Sequence, residues 1–440
     1  MTRSSTEYEF KTDSGLSGST LDRSIFRRND MVQQRFNVSI NTHPVEGDWG
    51  KHEPFITTIR NESMNPTAGY SLISGHSLAI APLTAEGIAV DFSTMPNIDL
   101  NKIWWSQEFI EESKIYGQNV YLIGDLTVTL YEYLDVLFFN ETLFNNLFNN
   151  QELDLYDIVE DGEWTWEKYK ELALQYGTGE TDTGAEPTYG AIINKHSWMG
   201  TMIALDAKIA TKDPDTGRHI VPDVPSDKYL KMINDMTDFY NKDNILGSLA
   251  NHGTQQNTQN PIFSSGRALF YGQTLDAAKT LRGTMSDQYG IIPLPKYDEF
   301  QEKYYSSCRD SLSAVTVLKS VPENRREMVG TITEALCMES YKQVRPSYYE
   351  LAIKMQYAGT SQRSSEMIDI IRAGLTFDGA FNWLYDRITE MGGNPYDSTG
   401  QNVIMSNGSK QVYALYMSKA PIWQRLLADV YTKFDKSLSN

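Results

Sequence analysis

The chain has 440 residues, room for two to three domains of ordinary size. Hydrophobic residues make up 40% and charged residues 22%, which supports a large core and excludes wholesale disorder. The net charge of −18 argues against nucleic acid and anionic lipid as partners, because both require basic patches. No apolar run reaches the roughly eighteen residues of a membrane span.

The chain opens Met1-Thr2-Arg3-Ser4-Ser5-Thr6, polar from the start. A cytosolic chain and one whose secretion signal has been removed both begin this way. The spacing Leu21, Ile25, Met31, Phe36 predicts a loosely amphipathic helix over residues 19–36, followed by a short strand at Val38-Ser39-Ile40. A helix is expected over 54–64 and a strand over 70–73. A turn at Gly75-His76 leads to a helix over 79–86. Val120-Tyr121-Leu122-Ile123 and Val136-Leu137-Phe138-Phe139 read as strands, the second closed by Asn140 and followed by a helix or turn over 141–149. Thr165 is placed to cap a helix that runs from Lys168, and residues 178–188 form a polar loop. Residues 226–243 form a helix with Tyr229, Met232, Ile233, Met236, Phe239 and Tyr240 on one face. A polar linker at 252–257 precedes the strand 268–271, and Tyr289-Gly290-Ile291-Ile292 follows a further helix. The last hundred residues are mainly helical. This alternation points to α/β layers with a largely parallel sheet.

No nucleophile elbow, phosphate loop or His-Glu-x-x-His motif is present. The six histidines lie at no metal-ligand spacing, and Asp213-x-Asp215-x-Gly217 lacks a full calcium-ligand series, so neither metal nor cofactor is expected. With 57 acids, a glycosidase pair cannot be tested by sequence, and a glycan hydrolase or lyase stays as the alternative function. Tyr outnumbers Phe, 26 to 17, which places rings with polar edges at wet surfaces and clefts. Cys308 and Cys337 leave two readings open, a single bridge or two inert buried thiols.

Several short signatures occur in order along the chain. They begin with Leu21-Asp22-Arg23 through Arg28-Asn29-Asp30 to Arg35-Phe36-Asn37-Val38, then Pro96-x-Ile98-Asp99-Leu100-x-x-x-Trp104-Trp105. Next come Gly124-Asp125, Phe138-Phe139-Asn140, Gly162-x-Trp164-Thr165 and Tyr189-Gly190. Phe263-x-x-Gly266-Arg267-Ala268-Leu269-Phe270 and Tyr289-Gly290-Ile291-Ile292-Pro293-Leu294-Pro295 complete the series. Together they resemble the family 1 extracellular solute-binding proteins of bacterial ABC importers, of the carbohydrate-binding, Gram-positive lipoprotein kind.

The resemblance implies a type II periplasmic-binding-protein-like α/β fold of two lobes with three interlobe crossings, near 131–135, 289–293 and 312–317. Lobe 1 would hold 1–134 plus 291–315, and lobe 2 would hold 135–290 plus 316–440. It further implies a non-enzymatic monomer that is anchored outside the cell as a lipoprotein. Such a protein captures a carbohydrate, here an oligosaccharide, and delivers it to ABC transporter permease subunits. The family's aspartate-rich loop before Tyr-Gly is degenerate here, over 178–186.

Sugars need aromatic planes for their C–H faces and charged or amide groups for their hydroxyls. By similarity to maltodextrin-binding proteins, a distant branch, Trp383 and Arg387 would share one helix face toward the sugar. Helix packing is the alternative for Trp383. Ser74 and His76 would meet ligand from the end of strand 70–73, and Tyr133 from the first crossing, against a plain turn and hinge packing. In lobe 2 the expected contacts are Ser197, Trp198, Tyr271, Gln273 and Asp276. Arg309 or Asp310 would contribute before the third crossing, with a structural ion pair as the competing role. Trp49 would cap the cleft from the loop 44–54, while Trp104 and Trp105 are assigned to packing.

Overall fold

Two sheets organise the computed structural model, each assembled from strands distant in sequence. In chain order the strands are β1 (Thr2–Arg3), β2 (Pro44–Val45), β3 (Ile73–His76), β4 (Asp135–Asn140), β5 (Tyr189–Ile193), β6 (Thr211–Lys212), β7 (His219–Ile220), β8 (Ile245–Gly247), β9 (Ala268–Thr274), β10 (Tyr289–Ile292) and β11 (Ser313–Thr316). The structure describes all residues except 14, 49, 68, 150, 152, 180–183, 194–196, 248–255, 309–311, 354–359, 379–382, 384–397 and 439–440. For 197–199, 247, 256–258, 350–353, 360–362, 398–411 and 437–438 it describes the backbone alone.

The first sheet has the order β11-β3-β1-β2, with β1 parallel to both neighbours and β11 antiparallel to β3. The second has the order β10-β4-β9-β5-β8, with the buried strand β4 antiparallel to β9 and β10. A small hairpin, β6-β7, stands apart. The chain leaves the first sheet through the short helix Thr129–Glu132 and enters β4; it returns between β10 and β11.

Local chemistry sets the main helices. Ser19 and Asp22 form a reciprocal capping box that starts Thr20–Phe36, and Asn37, with φ of 51°, ends it in the left-handed conformation. Leu21, Ser24, Ile25, Arg28 and Val32 form its buried face. Arg28 is fully buried and donates to the carbonyls of Glu9 (2.6 Å) and Leu126 (3.2 Å) and to Ser340 Oγ (3.0 Å). Thr165 caps Trp166–Ala173 by accepting from the Lys168 amide, so the helix body starts two residues before the expected Lys168. Ser226 caps Asp227–Tyr240, which buries the six residues read from the pattern.

Several expectations are corrected. The strand over 70–73 lies instead at Ile73–His76, so Gly75 and His76 are ladder residues and not a turn. A Cβ on Gly75 would stand 2.3 Å from Phe55 Cζ, so it is the phenyl ring beneath Gly75 that fits this segment into the sheet. Among the described residues, 120–123 pair through Leu122 with Val315 and form no extended strand. Val38–Ile40 has no strand partner among the described residues; pairing on that side begins at Pro44. Residues 256–257 of the expected linker open the helix Gln256–Ser264. The helix Glu323–Glu339 packs against Thr20–Phe36. The helix Thr360–Ala373 packs on β10 in lobe 2, and Ser398–Leu438 touches Asp227–Tyr240 and also Thr84–Ile88 of lobe 1. Cys308 and Cys337 are both buried free thiols. No helix among the described residues is long and apolar enough to cross a membrane.

Candidate binding cleft

The first sheet delivers a polar group to the interlobe side. β1 ends at Arg3, which is buried with its Nε 3.6 Å from Asp48 Oδ1, and Ser5 Oγ donates to the same oxygen. His76 ends β3, and its ring meets His52 with centroids 4.7 Å apart. Burial, reinforced by Arg3 and His52, holds the His76 pKa well below its usual value, so the ring is neutral at physiological pH. Glu9, just beyond, accepts from the amide and the hydroxyl of Thr129 (2.8 Å each) and so fixes the start of the first crossing.

At the crossing Glu132 accepts from the Tyr8 hydroxyl of lobe 1 and from Lys279 Nζ of lobe 2. Burial, with Glu132 next, pushes the Tyr8 phenol far above its usual range and keeps it a donor. Tyr133 is half-buried beside them. The buried ring of Tyr348 carries a hydroxyl that has no hydrogen-bond partner among the described residues; the side chains electrostatically nearest it are Glu132, Asp276 and Tyr133. A buried, unsatisfied hydroxyl is costly unless something polar meets it.

On the lobe 2 side Asp135 opens β4 against helix Ser197–Ala204, where a Cβ on Gly200 would stand 2.7 Å from its carboxylate. In β9 the Gln273 amide donates to Tyr271 OH (3.0 Å), which donates to Asn260 (2.6 Å). Gln273 Oε1 accepts from the Thr274 amide (2.9 Å), and the Thr274 hydroxyl donates to Asp276. Asp125 and Arg372 form a buried pair (Nε–Oδ1 2.8 Å) that joins lobe 1 to the helix Thr360–Ala373.

An aromatic run also crosses between the lobes. Phe377 meets Phe109 (5.2 Å), Phe109 meets Tyr121 (5.3 Å) and Tyr121 meets Trp383 (5.4 Å), each edge to face. All four rings are buried. At the rim Glu112 of helix Gln107–Ser113 pairs with Lys208 (2.6 Å), Lys212 (3.8 Å) and His219 (3.4 Å), and Glu108 pairs with Lys303.

The residues singled out from the sequence divide accordingly. His76, Tyr133 and Asp276 lie along this interlobe side, and Tyr271 and Gln273 are buried in the lobe 2 network. Trp383 is buried against Tyr121. Ser74 lines the cavity beside Val329, Thr333 and Leu336 of helix Glu323–Glu339, and its strand begins three residues later than expected. Ser197 and Trp198 open helix Ser197–Ala204, where the structure describes the backbone alone; Trp49, Arg309, Asp310 and Arg387 lie outside the described residues. Sequence reading missed Arg3, Tyr8, Asp48, His52, Glu132, Lys279 and Tyr348. For Arg3 and Tyr8 a signal existed, since the polar turn 4–9 directly follows the first strand. Among the described residues no group of three or more His, Cys, Asp or Glu could hold a metal ion.

No protein-family model and no curated protein matches the chain. Solved structures do match. A family 1 extracellular solute-binding protein from Alicyclobacillus acidocaldarius superposes with a TM-score of 0.56 at 10% identity, covering 94% of this chain and 96% of the other. The chain has the fold of a type II periplasmic-binding-protein-like protein. Two further structures share this fold at similar distance. UspC of M. tuberculosis gives a TM-score of 0.54 at 11% identity, over 90% of this chain and 96% of its own. A cyclo/maltodextrin-binding protein complexed with maltotetraose gives 0.52 at 13% identity, over 89% and 94%.

Proposed function

We propose that the protein is the extracellular solute-binding component of an ABC importer, and that it closes its lobes around a carbohydrate, an oligosaccharide. The observation that carries the reading is the set of groups at the first crossing. Tyr8, Glu132, Tyr133, Asp276 and Tyr348 are drawn together from both lobes and the C-terminal helices, and the Tyr348 hydroxyl there has no protein partner among the described residues. Rings with polar edges beside carboxylates are what a sugar's C–H faces and hydroxyls require. Two structures of the same fold support the ligand class: the maltodextrin-binding protein holds maltotetraose, and the GacH receptor of Streptomyces glaucescens, with a TM-score of 0.52, was solved with acarbose.

His76, Tyr133, Asp276, Trp383 and Tyr348 are proposed ligand contacts, with Trp49, Ser197, Trp198, Arg309, Asp310 and Arg387 as further ones. Lobe 1 is built on the first sheet and lobe 2 on the second. The protein acts as a monomer held at the outer cell surface as a lipoprotein, and passes its ligand to permease subunits. It performs no turnover.

Calorimetry against a panel of plant and host oligosaccharides tests this directly. The expected result is saturable binding of at least one glycan with a matching rise in Tm and no product. Binding of a peptide or polyamine but no carbohydrate overturns the ligand class. Product formation that disappears on replacing one carboxylate establishes the glycan-active enzyme instead.

A further inference from the structure

A turn of lobe 1 sits in a socket on lobe 2, away from the residues proposed to touch solute. Ile115 and Gln118 exchange both main-chain bonds (3.1 and 2.9 Å) and so close a two-residue hairpin turn over Tyr116 and Gly117. The φ values of these two residues are 49° and 75°. A type I′ turn needs positive φ at both positions and favours Asn-Gly, because a bulky side chain is strained at the first. A tyrosine there calls for a reason beyond the turn itself.

The reason is where its ring goes. Tyr116 stacks on Phe434 (5.9 Å, 24° between planes) and meets Tyr431 edge-on (5.5 Å). Arg218 lies over the Tyr116 ring (4.8 Å) and the Tyr431 ring (5.2 Å), and donates to the Tyr116 hydroxyl. Asp435 stands 3.7 Å from the guanidinium. Arg218 belongs to the turn of the β6-β7 hairpin, and the other three to the end of helix Ser398–Leu438. These two pieces are tied together. The His219 amide donates to the Tyr431 hydroxyl (2.6 Å), Tyr416 donates to the Pro222 carbonyl (2.8 Å) and Gln424 to the Val221 carbonyl (2.9 Å). Beside the socket, Lys212 of the same hairpin donates to the Glu111 carbonyl in helix Gln107–Ser113.

We infer that Tyr116 and this socket form a latch between the lobes, which stabilises the closed form and thereby sets how firmly a solute is retained. The inference rests on the two-lobed binding reading proposed above. Contacts made only in the closed form shift the closed-to-open ratio by their full energy. Two ring contacts and a cation over a ring correspond to about tenfold or more in that ratio. The latch does not touch the solute, so it tightens the hold on every solute alike. It also gives a task to the β6-β7 hairpin, which belongs to neither main sheet.

The test compares Tyr116→Asn and Arg218→Gln with the parent by solution scattering, with no solute added. Asn suits the turn better than Tyr, so Tyr116→Asn removes the ring and keeps the hairpin. The expected result is a larger radius of gyration in both variants, with a closed-to-open ratio at least about tenfold lower in Tyr116→Asn. The Gln118 amide should stay as protected from exchange as in the parent. Either variant at the parent's radius overturns the latch. So does opening of Tyr116→Asn together with lost protection at Gln118, since the turn and not the ring would then have held the lobes. Trp383→Ala, which removes the buried ring on Tyr121, is the reference. If it opens the chain where Tyr116→Asn does not, the latch fails and the two-lobed reading stands. If no variant changes the radius, the hinged two-lobed reading fails with it.

Discussion

Trp383 meets Tyr121 edge-on, with ring centroids 5.4 Å apart and planes at 90°, and both rings are buried. The contact joins the C-terminal region to lobe 1, at the end of the run that begins with Phe377 and Phe109. Trp383→Ala is therefore expected to lower stability by about 3–5 kcal/mol through the cavity it leaves. Scattering should show a larger radius of gyration as the lobes lose this contact. Trp383→Phe keeps an edge-to-face partner and should cost far less. If the indole also stacks on ligand, calorimetry on Trp383→Phe should show affinity reduced by about 1–3 kcal/mol while the radius stays that of the parent.

Gly75 and Phe55 form a size-matched pair, with only 2.3 Å between a Cβ at Gly75 and the ring. Gly75→Ala should destabilise by about 1–3 kcal/mol through overpacking. Phe55→Leu alone opens a void and also destabilises. The double variant should be more stable than the sum of the two losses, because the smaller side chain makes room for the methyl group. Urea denaturation of the four proteins checks this; strict additivity would mean that the strand moves aside instead.

Much of the fold was legible because it rests on local chemistry. The cap at Ser226 and the six apolar residues after it identify their helix, and the short apolar runs at 136–139 and 289–292 match buried strands. What misled was a register set by a distant side chain. Phe55 lies about twenty residues before Gly75, and nothing in the run Tyr70–Ile73 announces that the ladder starts at its last residue. The cleft was less legible for the same reason. Glu132 draws its partners from Tyr8 and Lys279, far apart in sequence, and Tyr348 comes from a C-terminal helix with no motif. His76 was singled out from the turn expected after a strand and is in fact that strand's last residue, whereas His52, its ring partner, sits in no pattern that spacing reveals.

Asp125 and Arg372 hold lobe 1 to the helix Thr360–Ala373, and both are buried. Burial opposes the guanidinium charge, and Asp125 outweighs it, so the Arg372 pKa is raised. Removing one partner strands a buried charge: Asp125→Leu or Arg372→Met alone should cost about 3–5 kcal/mol. The double variant should recover most of that loss, since two apolar side chains leave no charge unpaired. Thermal melts of the three variants and the parent decide it. A double variant as unstable as the worse single one would show that the pair contributes more than mutual neutralisation.

The rim pair is the place where acid should act on lobe closure. Burial works to raise the Glu112 carboxyl, but the His219 hydrogen bond, Lys208 and Lys212 override it and leave its pKa at about 2, against an ordinary 4.5. Between those values the open or unfolded chain binds a proton that the closed one does not, so stability falls as pH falls. The contribution is complete above about 4.5, is lost toward 2 and amounts to on the order of 2–3 kcal/mol. His76 acts in the same direction at higher pH. Its depressed pKa means that the unfolded ring takes up a proton below about 6.5 while the buried one resists. Stability should thus decline on acidification in two stages, first below about 6.5 and then below about 4.5. Glu112→Gln should abolish the second stage and leave the first, whereas His76→Gln should do the reverse. Tm measured from pH 8 to pH 3, with scattering for the radius, separates the two; a second stage that persists in Glu112→Gln would assign it to another carboxylate.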